Sequence, residues 1–205
     1  MKNLILPIFG LLMLWQTAVL GAAGCDLNDP DRDVKHFFPQ MTNYRTEYLS
    51  IKTLGGEKLY QSVQQRYGDK FKGLYETIDV PYTVYTILKG KEIIGYIHGV
   101  NQKGKYGGLQ VFLALDPRGT IIRQYFQKMT AGYAAKFRAD SFSSQFIGLK
   151  LADFQKYEVV TGKFPPKIKN PAPEATDDFN AALRGTKKNL ILMDIFVFNR
   201  PKEAK

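Results

Sequence analysis

Hydrophobic and polar positions change their period several times along this chain. Over "GEKLYQSVQQRYGDK", Leu59, Val63 and Tyr67 recur every four residues and Gly68 follows. That spacing predicts an amphipathic helix of about three turns with a glycine stop. The centre then switches to β-branched and aromatic runs. "PYTVYTILKGKEIIGYIHGV" holds two of them around Lys89-Gly90-Lys91, a hairpin signal. "NQKGKYGG" predicts the next turn, "LQVFLAL" a strand, "DPRG" a tight turn and "TIIRQYF" a fourth strand.

Beyond the strands, "QKMTAGYAAKF" reads as a loop. "RADSFSSQFIGLKLADFQKY" reads as two short helices with Phe142, Phe146 and Leu149 on one face. A proline-rich connection, "EVVTGKFPPKIKNPAPEA", leads to a last helix near Asp177, where Asp177 and Asp178 suit the first turn. "ILMDIFVFNR" is too apolar for a tail, and either more helix or an edge strand satisfies it. The expected fold is α+β: one domain, an antiparallel meander of at least four strands, flanked by helices.

The N-terminus has a different character. Lys2 precedes an apolar run from Leu4 to Leu14, and small residues lead to Cys25, the chain's only cysteine. These are the parts of a secretory signal, and they are too short and interrupted for a membrane span. "AAGC" resembles a bacterial lipobox, with Ala22 where leucine is usual. The resemblance implies a signal over residues 1–24, acylation of Cys25, and a lipid anchor holding the protein outside the cytoplasm, periplasm-facing or on the cell exterior. Asp26 after that cysteine resembles an inner-membrane retention signal. "DLNDPDRD" then reads as a polar tether, giving residues 25–35 to the lipidated cysteine and spacer and residues 36–205 to the domain. With Cys25 acylated no disulfide forms, and about 180 residues suffice for a core. A 44% hydrophobic and 13% aromatic chain is a folded domain rather than a solvated tail.

The formal net charge of +10 calls for a partner. Nucleic acid fits poorly with export and with the lack of a DNA-binding motif. Two readings remain. One is a basic surface over anionic lipid headgroups. The other is a phosphate site among Lys163, Lys167, Lys169, Arg184, Lys187 and Lys188.

Candidate chemistry is sparse. His36 and His98 lie far apart, with no HExxH or CxxC spacing, so no metal site is expected. No GxSxG marks a nucleophile, and "VVTGK" lacks Walker spacing, so no catalytic residue is assigned. What remains is a glycine-marked sheet, a loop with Thr130 and Gly132, and a proline-rich loop feeding a helix N-terminus suited to phosphate. Tyr106, Tyr125 and Tyr133 offer faces to a flat ring.

"YTVYTILKGKEIIGYIHGVNQKGKYGGLQVFLALDPRGTIIRQYFQ" and "FSSQFIGL", in that order, resemble the FMN-binding domain family of exported flavoproteins, over roughly residues 36–190. That family includes subunits of the sodium-pumping NADH:quinone reductase and of the Rnf complex. The resemblance implies an electron-transfer protein of a membrane redox complex, with FMN at Tyr106, Gly107, Gly108, Thr130, Gly132, Ala175 and Thr176. The family's attachment motif, Ser-Gly-Ala-Thr-x-Thr, falls on "PEATDD". Ala175 and Thr176 match, but Asp178 replaces the acceptor threonine, so a covalent phosphoester is not expected. The family's Glu-Thr-Pro-Gly loop becomes "MTAG". One expectation is FMN held noncovalently, with Lys187, Lys188 or Lys163 answering its phosphate. The alternative is a non-catalytic binding or structural lipoprotein that keeps the fold without the flavin and contacts a protein partner or another ligand.

Overall fold

The computed structural model describes residues 25–71 and 77–200. The expected signal, residues 1–24, lies outside the described residues.

The sheet follows the chain. Strands β1 (Asn43–Leu49), β2 (Tyr82–Lys89), β3 (Glu92–Lys103), β4 (Gly108–Leu115) and β5 (Ile121–Met129) lie side by side in sequence order, each antiparallel to the next. This is the expected meander with one strand added at its start, and the fold is α+β. The register runs Thr86↔Tyr96, Val100↔Val111 and Val111↔Phe126 across the middle. β4 and β5 slip register twice, so Ile122 and Gln127 are bulged residues on the outer strand.

Helices cover both faces. On one, α2 (Ile51–Tyr67) and α5 (Thr176–Met193) close a core that includes Val84, Val100, Val111, Leu113 and Leu115. Short helices α3 (Ala134–Arg138) and α4 (Asp140–Ser143) and the 3-10 turn Ser144–Phe146 extend it with Phe137, Phe142 and Phe146. On the other face, α1 (Pro30–Phe37) lays Val34 over Tyr85, Ile87, Ile97 and Phe112, with Phe38 beside it. Central strands sandwiched this way must be apolar on both sides, and β4 is buried at seven of eight positions.

Local rules explain the boundaries. Gly68 ends α2 at φ 88, a left-handed conformation that glycine adopts without a Cβ penalty. Ser50 and Thr53 form a capping box one turn earlier than expected, and a break at Gly56 separates that turn from the predicted helix. α5 reaches the sheet closely because Gly185 has no side chain: a Cβ there would lie 2.7 Å from Val111 Cγ2. The closing segment continues α5 as a π-helical turn, Asp194–Phe198, which resolves the alternative left open in favour of helix. Among the described residues, no helix is long and apolar enough to cross a membrane.

Where a spacer was expected, the chain folds. Asp29 caps α1 by accepting the Arg32 N–H (3.2 Å), Pro30 opens it, and Cys25 and Leu27 are buried against the sheet. Residues 25–35 therefore pack as part of the domain.

Candidate functional site

The fold brings the expected cofactor residues of the turn, the loop and the last helix together. Gly107 touches Thr130, where a Cβ would come within 2.8 Å of the threonine Cβ, and the Thr130 N–H donates to the Gly108 carbonyl (3.2 Å). The same turn rests on the N-terminus of α5, where the Lys105 N–H donates to Asp178 Oδ1 (2.9 Å). Ala175 is buried beneath it, and Thr176 Oγ1 donates back to the Pro173 carbonyl (2.9 Å). Tyr106 stands in solvent, 65% exposed, with the Lys105 ammonium 5.3 Å from its ring. Gly132 has open space around it. A shallow depression of about 320 Å³ beside this junction is lined by Lys103, Lys105, Val160, Asp177 and Arg184.

Lys187 is not part of that grouping. It is buried and donates through Nζ to the Tyr157 carbonyl (2.8 Å), and burial holds its pKa below the ordinary lysine value. Lys188, wholly buried, donates to the Asn101 carbonyl. Arg184 is committed to the Val159 carbonyl (2.5 Å) and to Asp69 (3.0 Å). The basic cluster of the sequence thus divides, and only Lys163, Lys167 and Lys169 face solvent.

These residues do not fit an FMN phosphate at the helix terminus. Asp178 is 1% exposed, its Oδ1 takes the turn's amide, and its Oδ2 is buried without a partner among the described residues. A carboxylate already fills the position a phosphate would need. Bringing a second anion against it repels without compensation from the two internal lysines.

A second and larger cavity, about 490 Å³, wraps around β5 at the free edge of the sheet. α1 supplies Arg32, Asp33, His36 and Phe37 from one face. Arg123, Gln124, Tyr125 and Phe126 come from β5, and α3 with α4 supplies Phe137, Arg138, Asp140 and Ser143 from the other. Its floor is unusual. Gln124 is 2% exposed, yet neither Oε1 nor Nε2 has a partner among the described residues. Asp33 is similarly buried: Arg32 bonds its Oδ1 through Nε (2.9 Å) and Nη2 (2.7 Å), and Oδ2 has no partner among the described residues. Arg123 donates through Nη1 to His36 Nε2 (2.7 Å), which fixes that imidazole as an acceptor there, and lies 5.9 Å over the Phe37 ring. Sequence reasoning named Tyr125 but missed the cavity, because a glutamine in a strand at the sheet edge reads as solvent-facing.

Two further groups are sealed rather than exposed. His98 is buried, with Nδ1 2.9 Å from Asn189 Oδ1, and burial pushes its pKa down to about 4. Cys25 is 1% exposed, and burial pushes its thiol up to about 12. Among the described residues, no group of His, Cys, Asp and Glu is placed to hold a metal ion.

Compared with known proteins, the chain matches no family model and no curated sequence.

Proposed function

We propose that this protein is an exported, lipid-anchored binding module that keeps an FMN-binding-like fold without holding the flavin. The observation that carries the reading is Asp178. It is buried under the glycine turn where the flavin phosphate would attach, with one oxygen bonded to the Lys105 amide and the other unpartnered among the described residues. Two of the lysines that would answer that phosphate serve backbone carbonyls inside the domain instead. Among the described residues no nucleophile–base pair is assembled to do chemistry. The role left to such a fold is recognition, with the lipid anchor fixing it at the membrane face. Attachment through Cys25 requires that residue to leave its apolar seat beside Leu27 and Tyr85, so the anchored form has its first residues lifted from the sheet.

The test is an absorbance and fluorescence titration of the full chain, purified in detergent, with FMN. The expected result is no shift of the flavin bands and no saturable quenching. A yellow protein that releases its FMN on acid precipitation would return the electron-carrier reading. Flavin retained in the acid pellet would mean covalent attachment and would overturn the reading of Asp178 as well.

A further inference from the structure

We infer that the cavity at the β5 edge binds a small organic monoanion in which a carboxylate and an amide are carried on an aromatic or aliphatic body. The inference rests on the reading of the protein as a binding module and names the ligand that module takes. Four features of the cavity carry it.

Buried polar atoms without partners come first. Gln124, which lines the cavity, carries two N–H donors on Nε2 and an acceptor Oε1 that have no partner among the described residues. Orphaned buried amides are rare because each loses its hydration for no return. Asp33 Oδ2 adds an unpaired acceptor on the opposite wall. A ligand amide answers two of these three needs, its carbonyl accepting from Gln124 Nε2 and its N–H donating to one of the unpaired oxygens.

Charge comes second. Three arginines and two aspartates line the cavity, one net positive charge between them, and His36 Nε2 accepts a hydrogen bond from Arg123. That balance suits one carboxylate and is short for a phosphate dianion. Arg32 is spent on Asp33 and Arg123 on His36. Arg138, whose Nε reaches the Phe126 carbonyl at 3.4 Å, has terminal N–H groups with no partner among the described residues, and these serve the carboxylate. Third, Phe37, Phe126 and Phe137 give an apolar wall for the rest of the ligand. Fourth, the space is that of a small-molecule site, at about 490 Å³. An N-acylated amino acid has this chemistry, and so does the free carboxyl end of a short peptide.

The experiment is isothermal titration of the full chain in detergent with four probes and FMN. N-acetylphenylalanine carries both polar groups. Its primary amide lacks the charge, 3-phenylpropionate lacks the amide, and phenyl phosphate carries the second negative charge. N-acetylphenylalanine should bind saturably, and each of the other three probes should bind at least about tenfold more weakly. Gln124→Met should lose binding while keeping or raising the melting temperature, because it removes two orphaned atoms from a buried site. Arg138→Met, at the surface, should lose the preference for the carboxylate over the primary amide.

Absence of saturable binding by any probe at millimolar concentration would mean that the cavity holds water only, and would overturn the inference. So would N-acetylphenylalanine binding unchanged in Gln124→Met, or phenyl phosphate binding at least as tightly. Saturable FMN binding that survives Gln124→Met would sink the flavin-free reading while leaving this site standing.

Discussion

Acidification should weaken this protein through one imidazole. His98 is fully enclosed between Tyr82 and Phe196, with its Nδ1 on Asn189 Oδ1 and its Nε2 unpartnered among the described residues. Burial lowers its pKa from 6.5 to about 4. Above the unfolded value both states are neutral, and the group contributes no pH dependence. As pH falls below 6.5 the unfolded chain takes a proton that the folded one refuses. Stability then drops by up to about 1.4 kcal/mol per pH unit, and by about 3 kcal/mol once the pH is below the folded value. Carboxylates begin to titrate in the lower part of that range, so the clean window ends near about pH 5, where about 2 kcal/mol should already be lost. The assay is urea unfolding of the wild type and of His98→Phe at intervals from about pH 7.5 to about pH 5. His98→Phe leaves Asn189 short of a partner, so it should be less stable at neutral pH, yet its stability should fall less steeply. Parallel slopes for the two proteins would refute the argument, because the imidazole would then not be the group that resists protonation.

Three other perturbations test the packing. Gly185→Val drives a side chain into Val111 and Gln102, and should cost about 1–3 kcal/mol, read as a lower urea midpoint at unchanged m-value. Asn189→Leu removes the partner of His98 Nδ1 and the donor to the His98 and Val111 carbonyls (2.8 and 3.1 Å), and should cost about 3 kcal/mol in the same assay. Asp178→Ala should free the Lys105 amide and speed its hydrogen exchange, with a loss of about 1 kcal/mol; an unchanged exchange rate would mean that the turn is held by its own backbone, through Gly104 N–H to Gly107 O (2.7 Å).

The meander was legible because its strands are bounded by glycine and proline turns and are buried on one or both faces. β1 was not, since "NYRTEYL" is an exposed edge strand whose only buried residue is Leu49, and an edge strand need not alternate. α1 was missed for a related reason. Its N-cap aspartate and N1 proline were present in "DLNDPDRD", but the helix buries only Asp33 and Val34, too little for an apolar stripe to appear. Burial also misled in the other direction. Lys187 and Lys188 read as surface charges, yet α5 is enclosed almost all round, and lysines on such a helix must end on backbone carbonyls. The β5 cavity depends on α1, α3 and α4 meeting around one strand. No spacing in a single sequence encodes that meeting, so Gln124 carried no visible signal.

The order of the sheet bears on how the chain is made. Every strand pairs with its neighbour in sequence, and short turns join β2 to β5, so those hairpins can form as soon as each turn emerges. The inner face of β3 and β4 is covered by α5, which follows all five strands in the chain. Until α5 has been made that face has no cover, and the native core cannot close. The arrangement builds in a delay: the helix that completes the core is made after all five strands of the sheet.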